Sequence, residues 1–309
     1  MIDLHLHLDG SLTPAEIIEL SRLSGVELPT YDEDRLRSLL TFDGRGTLND
    51  YLTKFELPLS VMQSAECVEY AVRSLAKRLL NMGYTYAEIR FAPALHTAKG
   101  ATQEEIVVGA VKGLLKEDFP FNLILCCMRG RSREENIRTV ELAADLAGGF
   151  GVVGVDLAGA EALYPTEDYK EVFSLASRLG VGITIHAGEA AGEESIRAAL
   201  DFGAYRIGHG CALKSKDLID CIKINDILLE VCPTSNVQTG AAKSIADHPI
   251  KRFLDEGIPV ALCSDNMTVS DTDVPREWAK VKEAFGYSDD VLESITDAAA
   301  RHAFPLRIF

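Results

Sequence analysis

The chain has 309 residues, 47% hydrophobic, 25% charged and 7% aromatic, a globular composition that excludes disordered and low-complexity classes. Lysine and arginine number 31 against 47 acidic residues, a net charge of −16, which argues against nucleic-acid and membrane-surface partners because both require a basic face. The same field disfavours polyanionic substrates and points to a neutral or cationic small molecule.

Short runs rich in β-branched residues and bounded by turns fall at 2–8, 85–93, 122–129, 152–159, 182–189, 206–210, 227–236 and 259–266. Helical patterns lie between them, at 102–116 (opening TQEE), 132–147 (SREE), 166–179 (TEDY), 192–202, 215–224 and 249–256. Several start with a Ser or Thr N-cap followed by acids that complement the helix dipole. Alternation of strand and helix implies parallel strands with right-handed crossovers. Eight such units in about 300 residues predict an α/β fold of the (β/α)8 TIM-barrel type, a single domain over residues 1–309. The rival, a doubly wound open sheet, is disfavoured because no GxGxxG follows an early strand. Seven cysteines without a CxxC pair predict a reduced, intracellular protein. No leader-like segment opens the chain and no apolar run reaches 18 residues, so a soluble, cytoplasmic protein is expected.

One connection is long. About 75 residues separate the first strand from the second, and this insertion, about 13–81, holds helical pieces at 14–24, 32–40, 48–62 and 65–81. It follows the C-terminal end of a strand, the face where barrel enzymes hold their sites. Its apolar segment LNDYLTKFELPLSVM reads either as a lid or pocket wall, or as helices packed on the barrel rim.

Strand ends carry the chemistry. In IDLHLHLDG the side chains alternate, so His5 and His7 face the barrel interior while Leu4, Leu6 and Leu8 face the helices. ITIHAGE ends with His186 and Glu189, RIGHG supplies His209, and ALCSDN supplies Asp265 and Asn266. Three histidines and a carboxylate from separate strands can converge on one ion, and such a set suits zinc. His96, His248 and His302, beside turns or in the C-terminal tail, read as structural.

The segments HLHLDGSL (5–12), YAEIRFAP (86–93), DLAGAE (156–161), HAGE (186–189), RIGHG (206–210), CPTSN (232–236) and SDN (264–266) closely resemble the adenosine deaminase family in order and spacing. HxH alone is shared across amidohydrolases, whereas HAGE with GHG and CPxSN is far more specific. The resemblance implies zinc-dependent hydrolysis of adenosine, and of 2′-deoxyadenosine, to the inosine product and ammonia, in purine salvage. It implies one zinc on His5, His7, His186 and Asp265, which would lower the pKa of a water from 15.7 to about 7 for attack on C6. His209 would orient that water and help take its proton, and Glu189 would protonate ring N1. Asp9 would bind the ribose 5′-hydroxyl and the Gly159 N–H would serve ring N3. The segment 48–62 resembles the family's helical lid.

Two further features bear on the metal count and on recognition of the ring. No PCxxC of the cytidine-deaminase type occurs, and no lysine at 122–129 or 152–159 offers a bridge for a second metal. Where many members have two aspartates, this chain has Asp265–Asn266, so an amide would meet ring N7. The alternatives are a deaminase of adenine or of an N6-substituted adenosine, a different zinc amidohydrolase, and a non-catalytic barrel. The expected partner is a small purine nucleoside; the oligomeric state stays open.

Overall fold

The computed structural model describes residues 1–117, 119–147, 149 and 151–304. Among them, eight parallel strands follow one another in sequence order: β1 (Ile2–His7), β2 (Tyr86–Phe91), β3 (Phe121–Met128), β4 (Val152–Ala158), β5 (Gly182–Ala187), β6 (Arg206–His209), β7 (Leu228–Val231) and β8 (Val260–Leu262). A parallel bridge between Leu6 and Asp265 joins the ends of the ring. There the His7 N–H donates to the Asp265 carbonyl at 2.7 Å, and the Asp265 N–H to the His5 carbonyl at 2.8 Å. With helices in the connections, this is the (β/α)8 barrel. No helix among the described residues is long and apolar enough to cross a membrane.

Period-two alternation divides the strands into two faces. Leu6, Ile89, Leu125, Ile185, Ile207 and Leu229 are buried in one continuous core with the helical layer. Their neighbours on the other face fill the ring with charge. Arg90 lies 3.0 Å from Asp156 and 2.9 Å from Glu230, and Arg206 lies 2.7 Å from Glu230 and pairs also with Glu88. All five side chains are fully buried, so each charge depends on its partners. Burial alone would raise Glu230, but Arg90, Arg206 and His5 outweigh it and hold its carboxyl well below the usual range.

Helix starts follow the local sequence. Thr102 with Glu105 and Ser132 with Glu135 form reciprocal capping boxes on Gln103–Leu115 and Arg133–Leu146. Three expectations need correction. The seventh strand ends at Val231, and CPTSN instead opens the helix Pro233–Gln238, with Pro233 in the first turn where its missing N–H costs nothing. The eighth ends at Leu262, and a left-handed φ of 59° at Asp265 breaks the extension. The stretch 48–62 is no continuous helix but Leu48–Leu52, a 3₁₀ turn Thr53–Phe55 and Glu56–Val61, because Pro58 has no N–H to return to the Lys54 carbonyl. Two helices beyond β8, Val274–Phe285 and Asp289–His302, were not anticipated, and His302 therefore sits on a helix rather than in a tail.

His96 ties the insertion to the barrel, its Nδ1–H donating to the Met62 carbonyl at 2.7 Å. Burial pushes this imidazole down to about 4. The unfolded chain takes up a proton near pH 6.5 and the folded one only near 4, so stability falls as pH drops between them. At pH 5 the difference is about 2 kcal/mol. Urea unfolding at pH 7 and pH 5 checks this: His96→Asn, which keeps the donor but does not titrate, loses less stability than the wild type on acidification. Equal losses would rule His96 out as the source.

Candidate active site

Four side chains converge at the C-terminal mouth of the barrel. His5 and His7 come from β1, His186 from β5, and Asp265 from the turn after β8. One ligand atom from each lies within 4.8 Å of all the others. His7 Nε2 is 3.1 Å from His186 Nε2, and Asp265 Oδ1 is 3.5 Å from the Nε2 atoms of both His5 and His7.

The charged barrel interior orients these rings. His5 Nδ1–H donates to Glu230 at 2.8 Å, and His186 Nδ1–H to Asp156 at 2.8 Å. Each ring therefore turns its Nε2 inward, the carboxylate–histidine arrangement found behind metal ligands. Buried His5 Nε2 and Asp265 Oδ1 have no hydrogen-bond partner among the described residues. Three imidazoles and a carboxylate drawn this close together form a set that a cation can bridge. Three imidazole nitrogens and one carboxylate oxygen are a donor set suited to a divalent cation such as zinc. Burial holds His7 well below its ordinary pKa. Burial would raise Asp265, yet its interactions with His5, His7 and His209 hold it far below the carboxylate range.

Beside this cluster stand Glu189 and His209. His209 closes β6 with a φ of 65°, and its Nε2 lies 3.6 Å from Glu189 Oε2. Such a conformation is costly for a side chain other than glycine and gathers at functional sites. Glu189 Oε1 accepts from Thr239 Oγ1 at 2.9 Å and from Asn236 Nδ2 at 3.3 Å. The loop carrying Glu189 hangs on Glu161, whose carboxylate accepts the N–H groups of Gly188, Glu189, Ala190 and Ala191 at 2.6–3.1 Å. Sequence reasoning did not single out Asp156, Glu161, Glu230, Asn236 or Thr239 as site residues. Charged residues inside otherwise apolar strands were the available signal for Asp156 and Glu230.

These groups open on a cavity of about 290 Å³. Eight of the nine residues singled out from the sequence line it: His7, Asp9, Gly159, His186, Glu189, His209, Asp265 and Asn266. His5 is fully buried beside Asp265. Leu48, Tyr51 and Phe55 of the insertion also line the cavity. Burial pushes Asp9 up to about 6. Gly159 has a φ of 104°, and a Cβ there would lie 3.2 Å from the Met128 methyl, so the backbone faces the cavity bare. A Cβ on Gly10 would lie 1.8 Å from Asn266 Oδ1, so only glycine lets the loop after β1 cross that amide.

A parallel barrel that gathers carboxylate-oriented imidazoles at the ends of its strands has the architecture of the metal-dependent amidohydrolases. Within that class the chain belongs to the adenosine deaminase family, whose model matches residues 1–306. It is 44% identical over 298 residues to the adenosine deaminase of Haemophilus ducreyi, covering 93% of this chain and 87% of that one. It is 38% identical over 309 residues to that of Enterococcus faecalis, covering 98% and 91%. Among solved structures, the adenine deaminase of Arthrobacter aurescens superposes with a TM-score of 0.89 at 28% identity, covering 98% of this chain and 93% of that one. The N6-methyl-AMP deaminase of Arabidopsis thaliana does so with 0.85 at 25% identity, covering 98% and 91%.

Proposed function

We propose that the protein hydrolyses adenosine, and 2′-deoxyadenosine with it, to the inosine product and ammonia, using one zinc held by His5, His7, His186 and Asp265. The reading rests above all on the convergence of that donor set and the Glu189 carboxyl on one cavity. When bound, zinc supplies the Lewis acidity that lowers the pKa of a water from 15.7 to about 7.

The chain's own residues do the rest. Because Glu189 Oε1 already accepts from Thr239 and Asn236, Oε2 carries the acid proton and delivers it to ring N1. That transfer makes C6 electrophilic; water adds there beside His209, one of its protons passes to the amino group, which leaves as ammonia, and the other, lost as the C6 hydroxyl becomes a carbonyl, restores Glu189. The Gly159 N–H serves ring N3 and the Asn266 NH2 donates to N7, which accepts only. Asp9 accepts the ribose 5′-hydroxyl, and no residue assigned here addresses the 2′ position. Leu48, Tyr51 and Phe55 cover the nucleoside as a lid over the cavity. The reading assigns the enzyme to cytoplasmic purine salvage.

Ultraviolet monitoring with adenosine, AMP, adenine and N6-methyladenosine tests this. Asp9 meets a 5′-phosphate with like charge, and unit charges about 4 Å apart repel by about 4 kcal/mol at an effective dielectric of 20. Adenosine should therefore exceed AMP in kcat/KM by about 10²–10³-fold. Comparable rates on AMP, or a preference for adenine or the N6-methyl compound, would overturn the substrate assignment.

A further inference from the structure

Behind Glu189 and His209 runs a hydrogen-bond chain whose direction is set by the main chain. The N–H of Ile250 donates to His248 Nδ1 at 3.1 Å. A backbone N–H cannot act as an acceptor, so Nδ1 is the acceptor nitrogen of His248. Burial pushes this imidazole down to about 3, so the ring is neutral and carries its single proton on Nε2. Nε2 lies 3.1 Å from Asn236 Oδ1 and donates to it. The Asn236 amide is thereby turned so that Nδ2 faces His209 Nδ1 at 3.0 Å and Glu189 Oε1 at 3.3 Å. The reversed amide would leave His248 with two acceptor nitrogens and no proton. His248, Asn236 and His209 are 2%, 0% and 1% exposed, so solvent does not compete for these bonds.

We propose that His248, acting through Asn236, is a positioning residue that fixes the tautomer of His209, with Nδ1 as acceptor and the proton on Nε2, toward Glu189 and the cavity. The inference rests on the proposed reading in which His209 faces the attacking water. It changes the role expected from the family resemblance. His209 held this way donates a hydrogen bond to the attacking oxygen and offers no lone pair at Nε2 for its proton. A water whose pKa is already near 7 needs an orienting donor more than a base.

The test is spectroscopic. Zinc-loaded enzyme labelled with 15N-histidine gives long-range 15N–1H spectra in which protonated and unprotonated ring nitrogens are distinct. The signals of His209 are assigned by their loss in His209→Gln. The wild type should show His209 with Nδ1 unprotonated and Nε2 protonated; a protonated Nδ1 overturns the proposal. His248→Leu removes the donor to Asn236, so the His209 tautomers mix and kcat falls about tenfold, the equivalent of one hydrogen bond, at unchanged KM and zinc content. His248→Gln, which retains an amide N–H for Asn236 and an oxygen for Ile250, rescues both signals. A fall in kcat for His248→Leu with the His209 tautomer unaltered would leave His248 merely structural and overturn the assignment. The spectra report the tautomer whichever purine is turned over, so this failure is separable from failure of the adenosine reading.

Discussion

Glu189→Gln lowers kcat by about 10²–10⁴-fold, the worth of general acid–base catalysis, with zinc content and KM near those of the wild type. The carboxamide keeps an oxygen for the Thr239 hydroxyl and the Asn236 amide, so the side chain stays in place. Its NH2 can still hydrogen-bond to ring N1, which preserves binding, but it has no proton to give up. The loss therefore falls on the chemical step. Steady-state kinetics beside metal analysis of the same preparation separates the two. A kcat within a few-fold of wild type would remove Glu189 as the proton donor, and a parallel loss of zinc would show that it supports the metal instead.

Stripping the metal with a strong chelator abolishes turnover, and one equivalent of zinc per chain restores it. The expectation follows from the geometry of the four donors. The Nε2 atoms of His7 and His186 face each other at 3.1 Å, and Glu230 and Asp156 hold the His5 and His186 rings in orientation. The same argument predicts a change in stability. A ligand that binds only the folded state stabilises it by about 2.7 kcal/mol at a hundredfold excess over Kd, so the metal-free protein melts at lower temperature. His186→Ala removes one donor and lowers both zinc content and rate. Full activity in protein shown to be free of metal would end the zinc reading.

The barrel was legible because its signals are local. Period-two strands alternate with capped helices, and Thr102 and Ser132 each meet the glutamate three residues on. The candidate ligands were legible because a histidine or aspartate at a strand end has no packing rationale. Less was visible where a residue acts through another from a distant part of the chain. Glu230 orients His5 from 225 positions away, and nothing in LLEV states which imidazole it will meet. Asn236 was read as strand because CPTSN continues an apolar run, although Pro233 marks a helix start. That misreading hid the one turn that presents Asn236 to both Glu189 and His209.

The seam of the barrel has a consequence for how the molecule comes into being. The bonds that join its first and last strands are made by the main chains of His5, His7 and Asp265. Asp3 and Ser264, which brace the same seam, are 261 positions apart. During synthesis His5 and His7 precede their fellow donor Asp265 by about 260 positions of chain. A product interrupted before Asp265 cannot assemble the four-donor cluster, so it has no metal affinity of this kind. The donor that completes the cluster belongs to the same residue whose main chain closes the ring of strands.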